Sequence, residues 1–151
     1  MILVIQRVHR SAVTVDKEIV ASIGQGLLVF VGIHKDDTEK DRDFILNKLL
    51  KIRLFPNGNK PIDRTVEDID GEILLVSQFT LYADCSKGNR PSFSEAMPPD
   101  EAKQFYETFV QVCSQRYPKT KSGIFGVMMD VELVNFGPVT IILDSRTHLS
   151  K

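Results

Sequence analysis

The stretch Met1-Ile2-Leu3-Val4-Ile5-Gln6-Arg7-Val8, followed by Val13 and Val15 alternating with Ser11 and Thr14, decides the fold. A near-continuous apolar run that passes into strict alternation is a strand pattern, buried first and half-buried later. Asp16-Lys17 reads as a hairpin tip, and Ile19, Ala21 and Ile23 resume the alternation on a second strand. Gly24-Gln25-Gly26 makes the next turn, and Leu27 to Ile33 reads as a third, fully buried strand. The opening third is therefore expected to be an antiparallel meander.

Outward from it, Thr38 with Asp41 fits a capping box, and Ile45, Leu46, Leu49, Leu50 and Ile52 recur at helical spacing. Pro56-Asn57-Gly58-Asn59 ends that unit in a turn. Residues 60–71 read as polar and irregular, closed by an Asp70-Gly71 turn ahead of the strand Ile73-Leu74-Leu75-Val76. A loop of about residues 83–98 is rich in Ser, Gly, Asn and Pro; loops beyond roughly 12–15 residues are more often functional than decorative. A second helix is expected from Pro99, with Asp100 and Glu101 in its first turn and Ala102, Phe105, Tyr106, Phe109 and Cys113 on one face. Val127–Asn135 and Val139–Leu143 close the chain as two strands. The order predicts an α+β fold: an antiparallel β-sheet or small barrel covered by two helices, one domain over residues 1–151 with a frayed tail from Asp144.

Of 151 residues, 42% are hydrophobic and 26% charged, enough apolar material for a core without disulfides or metals. The formal net charge is −1, so no global positive field draws the chain to nucleic acid, and any RNA contact must be local. Neither DNA nor a membrane is expected as a partner. Cys85 and Cys113 lack metal-ligand spacing, and His9, His34 and His148 are scattered, so no metal and no cofactor is expected. With no secretory pattern at the N-terminus and no stretch of transmembrane length, the expected location is the cytoplasm.

Two breaks in this pattern carry chemistry. In Ser77-Gln78-Phe79-Thr80-Leu81, hydroxyl and amide groups follow four aliphatics directly and precede the long loop. On a strand, Ser77, Phe79 and Leu81 would share one face and Gln78 and Thr80 the other. A lone Ser or Thr in such a place commonly satisfies edge backbone groups. Where a buried strand emerges at a rim, the same groups suit catalysis, because a rigid element fixes them. The N–H groups of Phe79 and Thr80, with the Gln78 amide, could hold the oxyanion of an ester under attack. Thr80 is a nucleophile only with a base beside it, and the sequence supplies none: no histidine is near, and Asp84 belongs to the loop. In the second break, Asn135-Phe136-Gly137-Pro138-Val139-Thr140, Gly-Pro interrupts strand-forming residues. On sequence grounds alone a hairpin turn is the better reading, with glycine at an unusual φ and proline in a cis turn.

Taken in order, Gln6-Arg7-Val8, Gly26-Leu27-Leu28-Val29, Ser77-Gln78-Phe79-Thr80-Leu81, Gly88-Asn89-Arg90-Pro91-Ser92-Phe93 and Leu133-Val134-Asn135-x-Gly137-Pro138-Val139-Thr140 resemble the D-aminoacyl-tRNA deacylase family along almost the whole chain. The resemblance implies a homodimeric, cofactor-free tRNA-editing hydrolase that binds the acceptor end of aminoacyl-tRNA. Ser77, Gln78, Phe79 and Thr80 would form the ester-binding side, with the terminal ribose 2′-hydroxyl of the substrate assisting. Gly137 and Pro138 would match a Gly-cisPro pair whose carbonyls enter the neighbouring subunit's site and clash with an L side chain. Glycine has no side chain to exclude, so glycyl-tRNA is expected to be cleaved too.

Arg7 would be the latch of that pair, although a strand-end surface arginine has the same sequence signature. Phe125 and Met129 fall where the family holds the terminal adenosine, with core packing the competing role for Met129. Lys87 and Arg90 would meet acceptor-end phosphates, or merely face solvent. Met128 and Phe136 depart from the family, which usually has Asp and an acidic residue there. Two rivals remain: a non-catalytic editing-like RNA-binding domain, and a small-molecule esterase with Thr80 or Ser77 as nucleophile.

Overall fold

A computed structural model describes residues 1–147 and 149. Strand β1 (Ile2–Val15) turns at Asp16-Lys17, both at positive φ (49° and 68°), into β2 (Glu18–Ile23), and β3 (Gly26–Gly32) lies antiparallel along the first half of β1. The three strands are as expected, but they do not form a meander: in the pairing order β1 stands between β2 and β3, which do not pair with each other, because β3 returns to the first half of β1. Helix α1 (Glu39–Lys51) follows, opened by the Asp41 carboxylate, which accepts from the Thr38 N–H at 2.9 Å and the Thr38 hydroxyl at 3.0 Å. Next come the hairpin β4 (Phe55–Asn57) and β5 (Lys60–Arg64), then β6 (Glu72–Ser77). Helix α2 (Pro99–Arg116), β7 (Thr120–Ser122) and β8 (Asp130–Asp144) complete the order.

The sheet runs β2-β1-β3-β6-β7, with β8 also on β1, so β1 carries β3 and β8 along its first half and β2 and β8 along its second. The result is a mostly antiparallel, nearly closed barrel with two helices outside. Two pairings, β3–β6 and β6–β7, are parallel where an antiparallel sheet was expected, because each is joined through a helix that returns the chain to the same end. Such central strands are buried on both faces. Leu27, Val29, Ile73 and Leu75 pack with Ile45, Leu49, Tyr106 and Phe109 of the helices. On the opposite face Leu28, Leu74 and Val76 pack with Val8, Val13 and Ile23. This double burial is why both runs are unbroken aliphatics. Gly26 is required there: an added Cβ would lie 1.8 Å from the Glu72 carbonyl oxygen.

Three expectations of local structure fail. Lys60–Arg64 is a strand, supported by its hairpin partner rather than by an apolar pattern of its own. Thr120–Ser122 is a short strand that too few residues announce. The tail does not fray at Asp144: that residue ends β8, and Ser145–Thr147 forms a 3-10 turn. Ser145 is fully buried, accepting from the Met1 ammonium at 2.8 Å and donating to Asp41 Oδ1 at 2.7 Å. The rest of the expected tail, apart from Leu149, lies outside the described residues, as does His148.

Candidate active site

Strand β6 is apolar through Val76 and ends at Ser77, where the alternation expected across 77–81 stops. Gln78 N–H still donates to the Val31 carbonyl at 2.8 Å, and the chain then curls into a 3-10 turn over Phe79–Tyr82. The first N–H groups of such a turn have no acceptor within it. Those belong here to Phe79 and Thr80, both exposed. Gln78 Nε2 donates to Thr80 Oγ1. With an amide donating to its oxygen, the Thr80 hydroxyl keeps its own proton to give away. This is the arrangement of a donor, the opposite of an activated nucleophile.

Among the described residues no base stands by to change that. Burial pushes the phenols of Tyr82 and Tyr106 up, so both stay neutral at pH 7. The Ser86 backbone N–H holds Asp84 below its ordinary value. His34 lies edge-on behind Tyr82, 5.1 Å between centroids, with both nitrogens engaged: Nδ1 accepts from Asp36 N–H at 3.1 Å and Nε2 meets Glu95 Oε2 at 3.2 Å. Among the described residues no group of three His, Cys, Asp or Glu side chains could hold a metal ion.

The long loop is more ordered than its composition suggests. Asp84 and Ser92 exchange backbone hydrogen bonds at 2.8 and 2.9 Å, closing a tip that exposes Lys87 and Arg90 around Gly88. Phe93 meets the half-exposed ring of Phe79 edge-on at 4.9 Å, fixing the loop against the rim. On the other flank, Gly123 N–H bonds the Leu75 carbonyl at 2.9 Å and brings the 123–129 segment to the same end of β6. Phe125 packs on Tyr106 at 5.7 Å, and Met129 packs against the inner core. Met128 between them is 92% exposed.

The second break is not a hairpin. Both halves of β8 pair with β1 in one direction, and the ladder slips around Val8, opposite Asn135. The chain bulges at Phe136-Gly137-Pro138 and rejoins the same partner, as an inserted segment in a ladder does. The Gly137–Pro138 peptide is cis, and both residues are exposed. Asn135 laces the bulge shut: its Oδ1 accepts from Val139 N–H at 2.7 Å, and its Nδ2 donates to the Val139 carbonyl at 3.2 Å and to Thr140 Oγ1 at 3.1 Å. The motif spacing foreshadowed Asn135, but only the geometry reveals its work.

Arg7 is no surface arginine. It is 5% exposed, and burial pulls its guanidinium below the usual arginine value. Backbone carbonyls hold it: Phe136 accepts from Nε at 2.8 Å, Leu54 from Nη1 at 2.6 Å and Pro61 from Nη1 at 3.1 Å. Gly137 fits only as glycine, with φ +139° and an added Cβ 2.9 Å from both Arg7 Nη2 and Val139 Cγ2.

The two motifs do not meet in one chain. Ser77 pairs with Val31, Val31 with Leu3 and Leu3 with Leu143. Pro138 is five residues from Leu143, which at ~3.3 Å per residue puts it ~17 Å along the strand direction from the rim.

The fold defines the class first. A solved structure described as a probable eukaryotic D-amino acid tRNA deacylase superposes at TM-score 0.80 over 95% of this chain and 98% of that one; at 17% identity this speaks for the fold alone. The family model for D-Tyr-tRNA(Tyr) deacylase matches residues 4–144, and the chain belongs to that family. It is 53% identical over 143 residues to a D-aminoacyl-tRNA deacylase of Aquifex aeolicus (strain VF5), covering 95% of this chain and 97% of the relative. It also resembles, at TM-score 0.90 and 41% identity, a solved c-Myc DNA unwinding element binding protein, over 95% of this chain and 98% of that one.

Proposed function

We propose that this protein is a tRNA-editing hydrolase that cleaves the ester of D-aminoacyl-tRNA and spares L-aminoacyl-tRNA. The observation that carries the reading is the exposed Gly137-Pro138 bulge, anchored through Phe136 to a buried arginine. A main-chain wall of this kind sorts substrates by the shape at the α-carbon and ignores which side chain they carry. Its distance from the Ser77–Thr80 rim argues that each site takes its rim from one copy and its bulge from a second, in a homodimer.

At the rim, the Phe79 and Thr80 N–H groups, the Thr80 hydroxyl and the Gln78 amide present donors to the ester carbonyl. They stabilise the oxyanion as a water oxygen adds to the carbonyl carbon. Collapse breaks the bond to the ribose oxygen, which takes up a proton, and releases the free amino acid and tRNA. Among the described residues no side chain is placed to accept the water's proton, which fits a role for the substrate's own ribose hydroxyl. Orientation supplies up to about 7–11 kcal/mol in well-aligned cases, so a rim that only positions is chemically sufficient. Phe125 and Met129 flank the place of the terminal adenosine, and Lys87 and Arg90 that of the acceptor phosphates. Such an enzyme works in the cytoplasm, where aminoacyl-tRNA is made and used.

The test is release of amino acid from matched D-tyrosyl-, L-tyrosyl- and glycyl-tRNA by purified protein. Cleavage of the D-tyrosyl and glycyl esters, with the L-tyrosyl ester protected, is expected. Equal rates on the two tyrosyl esters would refute the chirality filter, and protection of glycyl-tRNA would refute its steric basis.

A further inference from the structure

Phe136, the residue that precedes Gly137 in the bulge, sits between two side chains of β1. The Arg7 guanidinium carbon lies 4.1 Å from the Phe136 ring centroid, and the His9 imidazole stacks on the same ring at 4.4 Å with 27° between planes. Two planar groups so close to one centroid fit only on opposite faces. Arg7 and His9, two residues apart on β1, therefore form the outer layers of a three-layer stack with the phenyl ring between them. Arg7 also bonds the carbonyl of Phe136 itself, so one residue grips the guanidinium through both ring and main chain.

We infer that Phe136 is a positioning residue for the chirality bulge. Its ring fixes the plane of the Arg7 guanidinium, so that Nε meets the Phe136 carbonyl while Nη1 meets Leu54 and Pro61 and Nη2 rests against Gly137. A carboxylate at this position would hold the arginine by charge; the aromatic face holds it by cation–π attraction, with His9 closing the far side. The selectivity of the bulge depends in this chain on an aromatic clamp. The inference rests on the proposed function for its kinetic readout alone.

Phe136→Ala, Phe136→Tyr and the wild type decide it with two readouts. In ¹H–¹⁵N spectra, the Arg7 Nε–H of the wild type should be ring-current shifted and slow to exchange. Phe136→Ala should abolish both properties, and Phe136→Tyr should keep them. In deacylation assays, Phe136→Ala should lower the ratio of D-tyrosyl- to L-tyrosyl-tRNA cleavage about tenfold, and Phe136→Tyr should restore it. An Arg7 signal unchanged in Phe136→Ala overturns the clamp, as does a ratio unchanged when the wild type is selective. A wild type that does not distinguish the two esters refutes the proposed function instead, and the Arg7 signal then decides the clamp by itself. Phe136 is only partly buried, so Phe136→Ala is expected to fold.

Discussion

The rim at the end of β6 and the bulge in β8 are both breaks in an apolar strand, yet they are held in different ways. At the rim the important bond, Gln78 to Thr80, spans two residues, and the donors are the opening N–H groups of a local turn. The bulge is held across the fold: Arg7 reaches Phe136 from 129 positions away, and the carbonyls of Leu54 and Pro61 accept from its Nη1. A site built locally tolerates the loss of one group. One built from distant parts fails when its keystone moves. The rim, the proposed reactive side, should therefore be the more forgiving of the two.

The largest effect is expected at Gly137→Ala. The new methyl meets Arg7 Nη2 and Val139 Cγ2 at 2.9 Å, at a φ of +139° that L residues rarely adopt. The bulge must shift, and displacement of about 1 Å costs on the order of 100-fold in kcat/KM. Cleavage of D-tyrosyl-tRNA, measured beside the melting temperature, checks this. A loss of that size with a melting point near the wild type's places the fault in the bulge rather than in folding.

Thr80→Ala should cost far less, about tenfold, because it removes one donor from an exposed rim. Loss of a true nucleophile costs about 10⁴-fold or more, so the same assay separates a positioning rim from a threonine esterase. If Thr80→Ala proved as damaging as Gly137→Ala, the contrast between the two regions would be lost.

The smallest effect lies outside both regions, at Asp41→Ala. Burial tends to raise the Asp41 carboxyl, but hydrogen bonds from Ser145 and Thr38 outweigh it and hold the group below its ordinary 3.8. A lowered folded-state pKa gives stability that is complete above the unfolded value and lost as pH falls through the folded one. The variant should lose about 1 kcal/mol near pH 7, and its gap in melting temperature from the wild type should stay flat from about pH 6 to 8 and close below about pH 4. Deacylation should be unchanged.

What could be read in the sequence follows the same division. Thr38 and Asp41, the α1 stripe, the α2 face from Ala102 to Cys113 and the three opening strands are local patterns, and all were legible; the place of β1 between β2 and β3 in the pairing order was not. The parallel pairing of β6 was not, because a doubly buried aliphatic run has no preferred direction. Lys60–Arg64 and Thr120–Ser122 take their strand form from partners, not from their own residues. Ser145 looked like tail because its reason for burial, the contacts to Met1 and Asp41, lies at the other end of the chain. At the site, the polar cluster after Val76 announced the rim. The bulge was visible as Gly137-Pro138 but reads as a hairpin until its pairing with β1 is known. Phe136 in particular looked like a simple departure, because neither Arg7 nor His9 is near it in sequence.

Subunit mixing tests the central claim most directly, that rim and bulge from two copies make one site. Gly137→Ala homodimers and Gln78→Ala/Thr80→Ala homodimers, the latter having lost both side-chain donors of the rim, each with little activity, would be dissociated, combined and reassembled. Half of the dimers formed at random are mixed, and in each of these one of the two sites joins an intact rim to an intact bulge. The account predicts recovery of about a quarter of wild-type cleavage of D-tyrosyl-tRNA, with L-tyrosyl-tRNA still spared. No recovery above the two separate homodimers, with mixed dimers demonstrably formed, would contradict it.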